Sequence, residues 1–483
     1  MSELGEYSKL ENKELRTEFE LTNFPLPGIT DNDSDDGSQG KDFPNTIYPI
    51  ISDTDDQLVN NVLRENDKKS SMRMAFMNLA NSILGAGIIT QPFAIKNAGI
   101  IGGLISYIAL GFIVDWTLRL IVINLTLAGK RTYQGTVEYV MGKKGKLLIL
   151  FTNGLFAFGG CIGYCIIIGD TIPHVLRAVF SQNDGEVHFW LRRNVIIIMV
   201  TIFISFPLSL KRNIEGLSKA SFLAVLSMIV IVLTVVIRGP MLPYDWRGHT
   251  LKLSDIFIKT TIFRSLSVIS FALVCHHNTS FIFFSMRNRS VAKFTKLTHI
   301  SIVISVICCG LMGYSGFAAF KEKTKGNVLN SFPGTDTAIN VARLCFGFNM
   351  LTTFPMEIFV LRDVVGNLLH ECHLIKNYDE HTQLSNKQHT IITSMLVFIT
   401  MGISLTTCNL GALFELIGAT TASTMAYILP PYTNLLLTSK KKNWKAKLPY
   451  YFCICFGFMI MIVSSTQTIL DAVNGPDGQH CQI

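Results

Sequence analysis

Three short runs in this 483-residue chain carry residue types that apolar segments normally exclude. The first is Asn78-Leu-Ala-Asn81-Ser82-Ile-Leu-Gly85-Ala86-Gly87-Ile-Ile-Thr90-Gln91-Pro92. It places two Gly, two Asn and a Pro within about 15 residues of hydrophobic sequence, and such a segment propagates poorly as continuous helix. Unwinding at Gly85, Ala86 and Gly87 would free backbone N–H groups and expose the positive end of the following half-helix, which suits an anionic carboxylate. A Gly-lined packing seam is the competing reading. The second run, Cys275-His276-His277-Asn278-Thr279-Ser280, sets six polar or weakly polar residues together in another apolar stretch, at a cost if they face lipid. Its imidazoles are either functional or buried ties between helices. A metal or haem role is disfavoured, because adjacent His side chains diverge on a helix and no second ligand cluster accompanies them. The third run is Thr352-Thr353-Phe354-Pro355-Met356-Glu357. Pro355 deprives the Leu351 carbonyl of its helical donor, so a carbonyl, two hydroxyls and a carboxylate come together as the parts of a cation or proton site. Glu357 and Arg362 are five residues apart, off the usual same-face pairing. Glu357 or His276 would take up and release a proton, and one pH unit supplies about 1.4 kcal/mol per proton.

The elements that must position these residues are membrane spans. The chain is 49% hydrophobic and 16% charged, against about 25% charged in an average soluble domain. Apolar stretches of about 20 residues recur after residue 71, each sufficient to cross a hydrocarbon core of about 30 Å. They are apolar all round rather than alternating, which excludes a membrane β-barrel. Eleven spans are expected, centred roughly on residues 86, 113, 160, 202, 227, 275, 307, 350, 398, 423 and 460. Within them, Asp115 and Arg119 stand four apart and read as a structural ion pair. Glu415 reads as an interfacial residue with no assigned role. Asn278-Thr-Ser280 matches a glycosylation pattern but lies at membrane depth.

Residues 1–71 hold 16 Asp plus Glu against 7 Lys plus Arg, near −9, so the remainder is near +17 of the total +8. The tail is too polar to fold alone and reads as a disordered, acidic segment. Ser34 and Ser52 precede acidic residues, which would suit a kinase or a sorting adaptor. No cleavable signal precedes the first span. With the tail cytosolic, that face collects about 23 Lys plus Arg against about 12 on the other, so the C-terminus is expected in the lumen. The positive excess is thus a topology signal, and no nucleic-acid partner is expected. The eleven Cys lie mostly inside apolar runs, without a C-x-x-C pair, and read as small core residues. The expected organisation is a tail over 1–71, a transmembrane domain over 72–470 and a short lumenal tail over 471–483.

Spans six to ten follow spans one to five by about 190 to 196 residues, the spacing of repeated halves. Five is odd, so two such halves insert in opposite orientation. The two interrupted spans then occupy matched positions, where secondary transporters place their midplane site.

The runs Asn78 to Ile88, Phe271-Ala-Leu-Val-Cys-His276-His-Asn278, Phe354-Pro-Met-Glu357-Ile-Phe-Val-Leu-Arg362-Asp363 and Leu416-Ile-Gly418-Ala-Thr resemble the amino acid/auxin permease family, within it the fungal vacuolar group. The resemblance covers residues 72 to 470. It implies an all-α, eleven-span, 5+5 inverted-repeat amino-acid transporter fold with broken helices 1 and 6 and one extra helix. Substrate is implied at Asn81, Gly85, Ala86, Gly87, Cys275, His276 and His277, with the carboxylate on N–H groups and the ammonium on carbonyls. Sodium-coupled relatives use an Asn of the first span and a Thr of the eighth, matching Asn81 and Thr353, with Thr352 adjacent. Glu357 stands where those relatives carry an apolar residue, so the implied coupling ion is H+ rather than Na+, taken up by Glu357 or His276. No cofactor or metal is implied. The expected function is amino-acid transport across a vacuolar or other acidic endomembrane by alternating access; the alternative is an amino-acid sensor signalling through its tail. No enzyme constellation appears at either membrane face.

Overall fold

A computed structural model describes residues 69–180, 188–212, 220–374, 384–438 and 443–474. The acidic tail through residue 68, with Ser34 and Ser52, and the expected lumenal end from 475 lie outside the described residues. Among the described residues, nine helices are long and apolar enough to cross a membrane, and a bent pair, Met72–Ile83 with Ala86–Ala98, is a tenth candidate. Arg193–Ser209 is a shorter apolar helix. Each expected span centre falls within one of these segments. In chain order they are span 1 (the bent pair), span 2 (Ile100–Ala128), span 3 (Tyr133–Phe180), span 4 (Arg193–Ser209), span 5 (Ala220–Arg238) and span 6 (Ile262–Ser285). Span 7 (Val291–Phe320), span 8 (Thr337–Glu371), span 9 (Asn386–Thr406), span 10 (Leu410–Thr438) and span 11 (Trp444–Asn474) follow.

Span 1 starts on Ser71, whose hydroxyl accepts from the Met74 N–H at 3.3 Å. Its helix stops at Ile83, a 3₁₀ turn covers Ala86–Thr90, and helix resumes at Gln91–Ala98 with Pro92 in the first turn, where its missing N–H costs nothing. The two parts are bent by 43°. Span 6 divides the same way. Helix runs over Ile262–Leu273, Val274 is extended, a 3₁₀ turn spans His276–Asn278, and helix returns at Thr279–Ser285. The two 3₁₀ turns begin at Ala86 and His276, 190 residues apart, in line with the spacing of repeated halves. Where the two spans emerge on one face, here the tail face, Ser70 pairs with the end of span 6. Its N–H donates to the Ser285 carbonyl at 2.8 Å and its carbonyl accepts from the Arg287 N–H at 3.0 Å.

Gly142 (φ 67°) divides span 3 into a short leading helix and the long helix behind it. Gly99 (φ 79°) turns span 1 into span 2 beneath the Phe257 carbonyl, which a Cβ there would approach to 1.9 Å. Span 8 stays helical through Pro355. Span 10 is irregular in a way the sequence reading did not anticipate, with π-helical turns at Gly418–Ala422 and Thr424–Ile428. In the second, the Leu429 N–H bonds the Thr424 carbonyl five residues back. By that spacing the Met425 carbonyl needs a donor from Pro430, which has no N–H. The Tyr133 hydroxyl supplies one at 3.0 Å.

Two expectations about individual residues change. Glu415 is fully buried rather than interfacial, because Arg264 and Thr468 pair its carboxylate. Among the cysteines, Cys408 is disulfide-bonded and Cys372 and Cys455 are exposed, so the core role does not extend to all. The Asp115–Arg119 pair forms at 2.9 Å and gains a third member, His299, at 3.0 Å from the same carboxylate oxygen.

Candidate functional site

The two breaks meet. A Cβ on Gly87 would lie 2.7 Å from both Cα and Cβ of Ala272, so the span 1 turn is packed against the span 6 backbone with no room for a side chain. The seam and the break, competing readings of the sequence, are one feature. The carbonyl of Gly87 does not go unpaired, since it accepts from the Thr90 hydroxyl at 2.8 Å and the Gln91 carboxamide at 2.7 Å. Gln91 in turn accepts from the Tyr107 hydroxyl at 2.8 Å, fixing the turn to span 2. Across the gap, the Asn278 carboxamide donates to the Ser82 hydroxyl at 2.9 Å.

Cys275 and His276 are fully buried. His276 Nε2 lies 2.8 Å from the Thr117 hydroxyl oxygen of span 2. The same hydroxyl lies 2.9 Å from the Ile113 carbonyl and 3.2 Å from that of Val114, so span 2 offers the ring a partner on its Nε2 side alone. Nδ1 is buried and has no hydrogen-bond partner among the described residues. His277 sits half-buried against the Phe156 ring at 5.1 Å, and its own Nδ1 is likewise unpartnered there. A buried polar nitrogen without a protein partner is costly unless water, a ligand or a proton occupies it.

Span 3 joins these pieces to Glu357. Phe156 and Gly160 lie one helical turn apart, the first against His277 and Phe271 and the second against Glu357, whose Cγ would be 3.9 Å from a Cβ at Gly160. Cys161 and Tyr164 lie within electrostatic reach of that carboxylate. Arg362 turns elsewhere, donating to the Ser209 carbonyl and the Thr393 hydroxyl at 3.0 Å each. Thr352 and Thr353 donate to the Asn349 carbonyl at 2.9 and 2.8 Å, which leaves their hydroxyl oxygens as acceptors. The structure therefore places Asn81, Gly85, Ala86 and Gly87 at one break, Cys275, His276 and His277 at the other, and Glu357, Thr352 and Thr353 on span 8, with span 3 beside it.

Exposure is unequal about the breaks. Ala86 through Pro92 and Ser265 through His276 are buried throughout. Asn78, Asn81, Ser82, Gly85, His277, Asn278, Thr352, Thr353 and Glu357 all retain accessible surface. The breaks are thus covered from the far face.

Sequence reasoning placed span 3 but missed its part in the site. The signal was present as Gly159-x-x-x-Gly163, small residues that let helices approach closely. A Cβ on Gly159 would meet Ile417 at 2.2 Å, and one on Gly163 would meet Phe414 at 2.4 Å.

Two discontinuous helices joined at their breaks, inside a bundle of apolar spans, define a polytopic membrane transporter rather than an enzyme. The chain belongs to the family described as Transmembrane amino acid transporter protein, which matches residues 68–470. It is 90% identical over 483 residues to Vacuolar amino acid transporter 2 of Saccharomyces cerevisiae, covering all of both chains. It is 31% identical over 418 residues to a Danio rerio protein provisionally named sodium-coupled neutral amino acid transporter 11, covering 85% of this chain and 90% of that one. It is 25% identical over 428 residues to Sodium-coupled neutral amino acid transporter 7 of Danio rerio, covering 84% and 89%.

Proposed function

We propose that this chain moves amino acids across the vacuolar membrane in exchange or in company with protons, by alternating access. The vacuolar assignment is supported by the name of the 90% identical Saccharomyces cerevisiae relative. In this reading all eleven segments cross the bilayer, the tail lies in the cytosol, the C-terminus lies in the lumen, and residues 72–470 form the transporting core. The amino acid lies between the two breaks. Its carboxylate meets N–H groups at Gly85 to Gly87 and the positive end of the helix that follows, and its ammonium meets carbonyls near Cys275 to His277. Asn81 and Thr353 complete the surroundings of the substrate or the ion.

Proton coupling is supported by one juxtaposition. A carboxylate, Glu357, and an unpartnered imidazole nitrogen, His276 Nδ1, flank the place where the helices break, and no Lys or Arg among the described residues forms an ion pair with Glu357. A group that is neutral in one half of the cycle and charged in the other ties the conformational change to proton movement. Two of the relatives carry sodium in their names, so sodium is the rival ion.

The test is purified protein in liposomes with an imposed pH gradient and, separately, an imposed sodium gradient. The expected result is amino-acid accumulation driven by the pH gradient. In Glu357→Gln, exchange of labelled for unlabelled amino acid should persist while gradient-driven accumulation is lost. Accumulation that follows sodium and ignores pH would assign the coupling to Asn81 and Thr353 instead. Absence of any amino-acid flux would remove the reading altogether.

A further inference from the structure

We infer that span 11 latches the far side of the transport path through Thr468 and Asp471, acting on an ion pair between Arg264 and Glu415. Arg264 belongs to Ile262–Leu273, the half of span 6 that ends at the break, and Glu415 belongs to the opening turns of span 10. Glu415 is completely buried, and its two oxygens accept from Arg264 Nε at 2.8 and 3.0 Å. The Thr468 hydroxyl donates to the same carboxylate at 2.6 Å. Asp471 closes the cluster by pairing with Arg264 Nη1. Thr468 and Asp471 are three residues apart and therefore share one face of span 11. One turn of helix thus holds both members of the ion pair.

The location gives the cluster its role. For the site to open toward the far face, Ile262–Leu273 must part from span 10. There the two backbones touch, since a Cβ on Gly418 would lie 1.9 Å from the Ser267 carbonyl oxygen. The contact buries Phe271 flat on Phe414, with ring centroids 4.0 Å apart. Packing of this kind is non-directional, whereas a buried carboxylate bound on both oxygens must lose specific partners when the helices separate. Span 11 lies outside the two repeated halves, and the hydrogen bonds described at the breaks come from other spans. Its contribution is to set how readily this interface opens. Thr468 and Asp471 are positioning residues, acting through Arg264 and Glu415 rather than on substrate.

This inference rests on the transport reading only for the meaning of opening, and its test needs no flux. Cys275 is a free thiol, fully buried at the span 6 break. A membrane-impermeant maleimide is added to one face or the other of sealed, oriented vesicles holding the full chain, and modification at Cys275 is quantified by peptide mass spectrometry. In Asp471→Asn, labelling from the far face should rise about two- to fivefold while labelling from the tail face falls, as expected for loss of one partly exposed polar contact. In Thr468→Val, which loses a buried hydrogen bond, the shift should be at least as large. Asp471→Glu should restore the wild-type ratio. Glu415→Gln should shift it further in the same direction. A merely structural role would raise labelling from both faces together and lower the unfolding temperature, and that outcome overturns the latch, as does a far-face rate unchanged in both variants. Asp471 is 60% exposed, so its replacement disturbs little packing, and the unfolding temperature read beside the labelling keeps the test decisive.

Discussion

The Asn278 carboxamide reaches the Ser82 hydroxyl at 2.9 Å, and this contact bridges the two interrupted helices on the accessible side of their breaks. Each residue belongs to a run too polar for a lipid-facing helix, and each compensates the other across the gap. Together with the Ser70 pairing to Ser285 and Arg287, it makes the tail-face halves of spans 1 and 6 one mechanical unit, joined at both ends. A rearrangement that exposes the site to the opposite face must carry both halves together or break this tie.

Ser82→Ala removes the acceptor and leaves a half-buried carboxamide without its partner. A hydrogen bond of this kind contributes about 0.5–1.5 kcal/mol, so amino-acid turnover in liposomes should change roughly two- to tenfold. Asn278→Ala should give a similar change, and the double variant should be no worse than either single one. Strict additivity of the two effects would show that the residues act separately.

Gly85 and Gly87 look equivalent in sequence and should respond oppositely to a methyl group. At Gly85 the nearest atom to an added Cβ is the Asn81 carbonyl oxygen at 3.9 Å, which is ordinary contact. At Gly87 the Ala272 Cα stands at 2.7 Å. Gly87→Ala should abolish uptake and destabilise the protein by about 1–3 kcal/mol, read as a lowered unfolding temperature, while Gly85→Ala keeps its fold. Adding Ala272→Gly should not rescue Gly87→Ala, because the Cα remains in the way.

Legibility in the sequence followed the type of signal. Spans and breaks were readable because they depend on composition and on local backbone rules: Gly, Asn and Pro in the first span, six polar residues in the sixth. Pro355 shows the limit of such rules, since span 8 remains helical across it. Contacts between distant helices were not readable. Nothing adjacent to Glu415 in sequence announces Arg264 or Thr468, and a buried carboxylate with two donors looks the same in one dimension as an interfacial one. The π turns of span 10 fall between these cases. Pro430 and Pro431 were visible, but the Tyr133 hydroxyl that makes the register tolerable comes from nearly 300 residues away.

Asp336 gives a pH prediction outside the membrane-spanning helices. It caps span 8, accepting from the Ile339 N–H at 3.2 Å, and it binds Arg238 Nε and Nη2 at 2.9 and 2.7 Å. Burial alone would raise the tendency of this carboxyl to hold its proton, but the Arg238 and backbone N–H bonds outweigh burial and hold it below the usual carboxylate range. A depressed carboxylate contributes its full stabilisation above the unfolded value of about 3.9 and loses it as pH falls through the folded one. Asp336→Asn keeps the cap and loses the ion pair, so it should unfold more easily than wild type by about 1 kcal/mol from pH 5 to 8. The difference should begin to close below about pH 4 and keep narrowing as pH falls through the lower folded value. Thermal unfolding of both proteins from pH 8 downward reads the result, and a gap that does not narrow at all below about pH 4 would assign the effect to something other than the charge.

Tyr133 tests whether the irregular register of span 10 depends on a single hydroxyl. The ring is buried at the start of the short helix before Gly142, and its hydroxyl donates to the Met425 carbonyl that Pro430 cannot serve. Tyr133→Phe preserves the ring packing and removes only the donor, leaving a buried carbonyl unpaired at a cost of about 1–3 kcal/mol. Span 10 has one inexpensive response, which is to shift its turn so that another group reaches that carbonyl. Such a shift moves the neighbouring Tyr427, whose hydroxyl lies 2.7 Å from that of Ser270 in span 6. Hydrogen exchange should therefore accelerate over Thr424–Ile428 and also over Ile262–Leu273, with slower amino-acid exchange in liposomes. Faster exchange in span 10 alone would show that Tyr133 supports local geometry without reaching the broken helix.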